Sequence, residues 1–318
     1  MVTAIPPLKD SELIEFGNAN RARPDGNPSK IVVASYNIRY AVGRFLIGSG
    51  LLRKAGVTSH RLRPVHVGEN IHRAAEAFRS NTLMPAPAIL ALQEADKHTR
   101  RAGGHHVARE LADTLDMNWI HVPAGIPRGQ APADRQWWLN FEEQIGLQDA
   151  GDTGVALLSK YQLADITRID LPWHECPWRP RVAMAATVNL GGKELRILNA
   201  HVDPHAAVGG QLEQVEVLLT EAEKHQGPLL IAGDFNTLSK KKCVETQAFM
   251  QQRGFQSAIP IGTATWRGAG IRLHADWIFY RDVSVSRWGV ARPLNVSDHW
   301  PIWVEVEPNQ QMNGVAKL

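Results

Sequence analysis

The sequence predicts an α/β fold of mixed β-sheets with helices on the outside, and three observations predict it. Short apolar, β-branched runs recur along the chain. Segments with helical spacing of apolar residues separate the early runs, and hairpin-like pairs crowd the later ones. Strict strand–helix alternation would argue for one parallel doubly wound sheet; the late hairpins break it and favour mixed sheets. At 318 residues the chain is long enough for one large domain of this kind or two small ones.

Residues 1–29 are polar and proline-punctuated and read as an N-terminal extension that wraps the domain. IVVASYNIRY (31–40) is a buried strand ending in polar residues. In VGENIHRAAEAFRSNTL (67–83), Ile71, Ala74, Ala75 and Phe78 share one helical face. AILALQEAD (88–96) is a second buried strand with acid at its end, and HHVARELADTL (105–115) a second helix. Residues 116–152, with three tryptophans and few apolar runs, read as one long elaborated loop. TGVALLSKY (153–161) is a strand, and VAMAATVNL with KELRILNAHVD forms a hairpin around Gly191-Gly192. GGQLEQVEVLLTEAEKH (209–225) is an amphipathic helix. PLLIAGDFNT, ADWIFYRD, VSVSRWGV and HWPIWVEVE complete the strands, and residues 308–318 are left as a tail.

Composition narrows the class. The chain is 44% hydrophobic and 21% charged, ordinary for a globular protein, and its net charge of +3 (pI near 8.9) is compatible with an anionic substrate without requiring one. Two cysteines, Cys176 and Cys243, cannot form a disulfide framework and suit reduced thiols. No basic n-region with a long apolar run opens the sequence and no stretch nears about 18 apolar residues. A cytoplasmic location, no transmembrane segment and no obligate protein partner are therefore the expectation. HExxH, GxSxG and CxxC patterns do not occur, which removes zinc-protease, serine-hydrolase and thioredoxin-type readings.

The informative pattern is an apolar strand that stops at a residue suited to metal or phosphate chemistry. Asn37 ends the first run and Glu94 the second; His201 follows ILNA, and Asp234 and Asn236 follow LLIAG. Asp276 opens ADWIFY, and Asp298-His299 precede the last strand. Singly, each is more often a turn former or a solvated side chain. Together they supply oxygen ligands for a hard cation, a group to activate water, and groups to neutralise charge on a phosphorane. Strand ends gather at one sheet edge, so residues distant in sequence converge there.

The motifs SYNIR (35–39), LQEAD (92–96), NAHVD (199–203), GDFNT (233–237), HADWIF (274–279) and SDHWP (297–301) resemble, in content and order, those of the endonuclease/exonuclease/phosphatase superfamily of metal-dependent phosphoesterases. The resemblance runs from about residue 31 to 307, so 30–307 is expected to be one catalytic domain. It implies a four-layer sandwich, two mixed sheets face to face with helices outside. It also implies Mg²⁺ (or Mn²⁺) held by Glu94, with Asn37 and Asp298 beside it. Asp234 would orient or deprotonate water, and Asn236 would hold that water or a phosphate oxygen. His299, oriented by Asp276, would bind phosphate or act as base, and His201 would stabilise phosphate or assist the leaving group. Arg181 matches a phosphate-contacting arginine of some members; the chain departs from the family pattern at GDTGVALLS, before the middle strand, where Asp152 would orient His201. The inositol 5-phosphatase signatures are absent, which argues against that activity.

QEADKHTRRAGG places Arg100 and Arg101 just past Glu94, where either a phosphate clamp or a solvated loop is expected. Lys240, Lys241 and Lys242 follow GDFNT and are either a polyanion contact or a solvated face. Trp137, Trp138, Trp173, Trp178 and Trp266 fall in expected loops, where they either stack on substrate or pack the loops down. The expected substrate is a phosphodiester, nucleic acid ahead of phospholipid or a small phosphate ester, with a catalytically silent binding module as the remote alternative.

Overall fold

Period-two alternation within the strands sets the architecture. In the strand Ile31–Asn37 (β2), Val32, Ala34 and Tyr36 join one buried cluster while Ile31 and Val33 join another. A strand that is apolar on both faces must be covered on both faces, and the rest of the chain supplies the covers. The computed structural model describes residues 14–19, 28–43, 62–125, 145, 149–172, 181–268 and 270–308.

The other strands are β1 (Glu15–Gly17), β3 (Ile89–Gln93), β4 (Asn118–Pro123), β5 (Gly154–Ser159), β6 (Gln162–Asp170), β7 (Val182–Asn189) and β8 (Glu194–His201). They continue with β9 (Leu229–Asp234), β10 (Trp266–Gly268), β11 (Ile271–Leu273), β12 (Asp276–Arg281), β13 (Val283–Val290) and β14 (Ile302–Pro308). The helices are α1 (Arg63–Arg79), α2 (Val107–Leu115), α3 (Val208–Ala222) and α4 (Lys240–Gln252). One sheet has the order β1-β4-β5-β3-β2-β14-β13, the other β12-β9-β8-β7-β6, and β10-β11 is a separate hairpin. Only β2–β3 and β8–β9 pair in parallel within the two large sheets. Those are the two pairs whose connections contain α1 and α3, because a parallel pair needs a long crossover.

Three buried clusters separate four layers. α1 and α2 cover the outer face of the seven-stranded sheet through Val67, Ile71, Phe78, Val107 and Leu111. The sheets face each other through Val33, Ile89, Val155 and Leu157 on one side and Met184, Ile197, Leu230 and Ile278 on the other. α3 and α4 cover the second sheet through Val215, Leu218, Leu219, Cys243 and Met250. The expected four-layer sandwich of two mixed sheets is what the chain forms.

Several expectations need correction. Residues 118–123 are not loop but strand β4, central enough to pair with both β1 and β5. The extension before residue 30 contributes β1, whose Glu15 carboxylate receives Lys97 and His106. The lysine run opens helix α4: Ser239 caps it through Lys242 N, and the Lys242 ammonium donates to the Ala206 carbonyl at 3.0 Å. Lys242 is thus pinned, and only its neighbours face solvent. Trp266 lies in a strand, not a loop; the other four tryptophans, Cys176 and residues 309–318 lie outside the described residues.

Two histidines give the fold an acid limit. His121 is fully buried on β4 and donates Nε2–H to the Ala95 carbonyl at 2.6 Å; burial and the nearby His106 push its pKa down to about 3. Burial likewise pushes His274 down to about 4, its ring stacked on Trp277 at 4.0 Å. Both are neutral in the fold and protonate more readily when unfolded. The stability they confer is complete above the unfolded pKa near 6.5 and is lost as pH falls toward 4 and 3. The urea midpoint is expected to fall below pH 6, each histidine costing about 1.4 kcal/mol per pH unit. A midpoint that is flat down to pH 4.5 would contradict this.

Candidate active site

The parity that builds the core also builds the site. Ile31 and Val33 point between the sheets, so two and four residues on Ser35 and Asn37 do the same at the end of β2. By the same count Leu195 and Ile197 lead to Asn199 and His201 on β8, Leu230 and Ala232 to Asp234 on β9, and Ile278 back to Asp276 on β12. Each apolar stripe therefore ends in a chemically active residue at the same rim of the inter-sheet space. Register makes them neighbours: Asp276 pairs with Asp234, and Asp234 with His201.

Gly233 explains the glycine of GDFNT. Its φ is +152°, and a Cβ there would lie 2.0 Å from the Ala200 carbonyl oxygen. Any side chain would push β9 from β8 and separate Asp234 from His201. Glu94 and Asn236 sit at the turns past their strands with φ of +51° and +50°. These left-handed corners are uncommon for residues with a Cβ and turn each side chain off its strand direction.

The groups converge as follows. Asn37 Nδ2 donates to Asp234 Oδ2 at 2.9 Å and to Glu94 Oε1 at 3.3 Å. His201 Nε2 lies 3.6 Å from Asp234 Oδ2 and 3.8 Å from Glu94 Oε1. His299 Nδ1 lies 2.9 Å from Asp276 Oδ2, while its Nε2 faces Asp234 Oδ2 at 3.7 Å. Asn236 donates Nδ2–H to the Val202 carbonyl, and its backbone N–H donates to Asp234 Oδ1, both at 2.9 Å. Ser297 Oγ donates to the Asn37 carbonyl at 2.8 Å and accepts the His299 N–H, tying the last loop to β2.

Electrostatics follows from burial. Removal from water raises Asp234 most, and Asp276 adds to this; His299 and the N–H groups of Asn37 and Asn236 oppose it, leaving it at about 7. Burial alone would depress His299, but the Asp276 and Asp234 carboxylates outweigh it and hold the imidazole up at about 10. His299 is thus an imidazolium fixed between two buried carboxylates, one of which is a base poised near neutrality.

Asp298 stands at the edge of this cluster. Its Oδ2 accepts Trp266 Nε1–H at 3.0 Å and lies 3.3 Å from Arg39 Nη1. Arg39 was missed in the sequence, although SYNIR ends in it. It is a buried cation; burial opposes its charge, but Asp298 and then Glu94 help to raise its pKa. Arg181 Nη1 lies 3.1 Å from both ring nitrogens of His201, and the two line a small open cavity with Ala124, Thr153, Gly154, Val155 and Val182. Asp152 accepts the N–H groups of Gly125 and Thr153 in the loop that borders this cavity.

Arg100 is exposed, and its backbone N–H donates to Asp149. Arg101 is no phosphate clamp: it is 2% exposed and ion-paired to the fully buried Asp96 through Nε at 2.6 Å and Nη2 at 2.9 Å. Gln93 and Asn199 were quoted in motifs but join the two sheets, Gln93 Nε2 donating to Asn199 Oδ1 at 2.6 Å.

The donor set suits a hard divalent cation, which takes carboxylate and amide oxygens. Glu94, Asp234, Asp276 and Asp298 supply carboxylates, and one ligand atom from each of Asp234, Asp276 and His299 lies within 4.8 Å of the others. Asn37 presents its nitrogen to two of these acids, its oxygen accepting the Arg39 N–H at 3.0 Å. No helix among the described residues is long and apolar enough to cross a membrane.

Comparison with known proteins agrees with the geometry. A UPF0294 protein of Vibrio campbellii is 29% identical over 249 residues, 76% of this chain and 74% of its own. The structure of an endonuclease/exonuclease/phosphatase from Beutenbergia cavernae superposes with a TM-score of 0.60 at 13% identity, covering 89% of this chain and 72% of that one. ANGEL2, a 2′,3′-cyclic phosphatase in complex with adenosine-2′,3′-vanadate, gives 0.56 at 14% identity, covering 92% and 97%. At such identities these superpositions show a shared fold. The profile of the Endonuclease/Exonuclease/phosphatase family matches residues 34–299, a span holding every strand tip described above. The chain therefore belongs to the endonuclease/exonuclease/phosphatase family, a family of phosphoester hydrolases.

Proposed function

We propose that the chain is a divalent-metal-dependent phosphodiester hydrolase that acts on nucleic acid with water as the nucleophile. The observation that carries this reading is the His299 imidazolium held between Asp276 and Asp234, opposite Glu94 at the same rim. Asp234, raised to about 7, takes the proton of the attacking water, since a base works best with a pKa near the working pH. Asp276 keeps His299 charged and oriented, and His299 meets the negative charge that grows on the phosphate oxygens. Arg181 and His201 face the same charge from the other side of Asp234 and assist the leaving oxygen. Asn236 is the residue for holding the water or a phosphate oxygen.

Glu94 is the group to hold Mg²⁺ or Mn²⁺, with Asn37 and Asp298 beside it. When bound, such a cation supplies positive charge to the phosphate and acidifies water. Nucleic acid is favoured as substrate over phospholipid or a small ester by the basic balance of the chain and by Lys240 and Lys241, exposed at the start of α4.

The test is a substrate panel with and without chelator: single-stranded RNA, duplex DNA, abasic DNA, sphingomyelin and a chromogenic diester. EDTA is expected to remove more than about 99% of turnover on the diester, and Mg²⁺ or Mn²⁺ to restore it. Undiminished turnover in EDTA would end the metal reading. Preference for sphingomyelin in vesicles over every nucleic acid would end the nuclease reading alone.

A further inference from the structure

A cluster of three arginines beside the catalytic loop has no part in the chemistry above. The guanidinium carbons of Arg267, Arg292 and Arg272 lie 4.5, 4.7 and 6.0 Å from the centre of the Trp300 ring. They come from β10, from the loop after β13 and from β11. Trp300, only 4% exposed, serves as a buried platform, and cation–π attraction draws the three charges to it. Among the described residues neither Arg272 nor Arg292 has an acidic partner, and both are exposed. Arg267 Nη2 donates to the Leu294 carbonyl and Asn295 Oδ1, which fixes it in place. Like charges gathered this closely repel, and partial burial followed by Arg272 lowers the pKa of Arg292. An anion placed over the cluster relieves that repulsion.

The cluster is attached to the active site through the backbone. Arg267 N donates to the Asp298 carbonyl at 2.9 Å, Trp300 N to the Thr265 carbonyl at 2.7 Å, and Trp266 bridges His299. Trp300 directly follows His299, so the three arginines gather on the residue next to the catalytic histidine. No guanidinium carbon is further than 6.0 Å from the ring centre, so the patch is at most about 12 Å across, enough for two successive phosphates of one strand. Arginine forks suit phosphate oxygens in pairs.

We infer that Arg267, Arg272 and Arg292 form a second phosphate-binding subsite, which grips the nucleic-acid backbone beside the scissile phosphate and so makes the substrate a strand rather than a small ester. The inference deepens the nuclease reading and rests on it for turnover, but binding tests it separately. R272A/R292A removes two exposed side chains and leaves Arg267, Trp300 and the catalytic residues in place. In EDTA, anisotropy of a labelled single-stranded oligonucleotide is expected to show at least about tenfold weaker binding, with the log K against log salt slope reduced by about 1.4, as for two lost phosphate contacts. With metal, KM for the oligonucleotide rises by a similar factor, while kcat/KM on the chromogenic diester stays within twofold. Unchanged affinity and salt slope for the oligonucleotide would overturn the subsite. So would patch-dependent binding to phosphatidylserine vesicles without patch-dependent binding to the strand. If the unaltered protein hydrolyses no diester yet loses strand binding on R272A/R292A, the hydrolase reading fails and the subsite stands.

Discussion

Asp234→Asn and His299→Ala are each expected to lower kcat on a chromogenic diester by at least about 10³-fold, and Asp234→Asn to leave thermal unfolding within a few degrees. Asp234 is buried, and its carboxylate is the one raised to about 7; the amide keeps the shape and removes the proton acceptor. The same change removes one of the two carboxylates that hold His299 up at about 10, so the imidazole pKa falls in that variant. His299→Ala leaves the buried Asp276 without its imidazolium partner, so it is expected to lower stability as well as kcat. Circular dichroism and steady-state rates on the same preparations check the result. Near-normal turnover by either folded variant would show that these side chains do not carry the reaction.

The second large effect is on stability. Arg101→Met is expected to cost about 3–5 kcal/mol, because it strands the Asp96 carboxylate, fully buried, without its countercharge. Urea unfolding would show it as a lower midpoint with an unchanged slope. Asp96→Asn combined with Arg101→Met should recover part of the loss, since no charge is then left unpaired. The pair matters to the site through its place in the chain: Asp96 N donates to the Glu94 carbonyl at 3.0 Å, and Arg101 lies over the Tyr40 ring at 4.1 Å. It anchors the left-handed corner from which Glu94 projects. A loss under about 1 kcal/mol would mean that water reaches Asp96.

Much of this molecule can be read from the order of its residues. The strand tips are legible because so many apolar runs of one chain end in Asn, Asp, Glu or His, and because parity along a strand tells which face the last residue takes. What escapes the sequence escapes for physical reasons. Strand β4, NWIHVP, is short, with Asn118 and His121 breaking its apolar run. β6 is a largely exposed edge strand, so QLADITRID shows no core stripe. Helix α4 buries only Cys243, Thr246 and Met250, too few strongly apolar positions to show its period. Within the site, Arg101 and Arg100 are adjacent in a motif, and nothing in the sequence tells which one turns inward to meet Asp96. Gln93 and Asn199 have the look of catalytic amides in a motif, yet they clasp each other between the sheets.

The inter-sheet hydrogen bond from Asn37 to Asp234 has one more consequence. β2 and β3 furnish Asn37 and Glu94, whereas β8, β9 and β12 furnish His201, Asp234 and Asp276. Neither half of the sandwich owns a competent centre, so an intermediate with both halves folded but undocked is chemically inert. Phosphoester hydrolysis becomes possible only after the two walls have shut on each other, which spares a half-finished chain from acting on whatever it touches first.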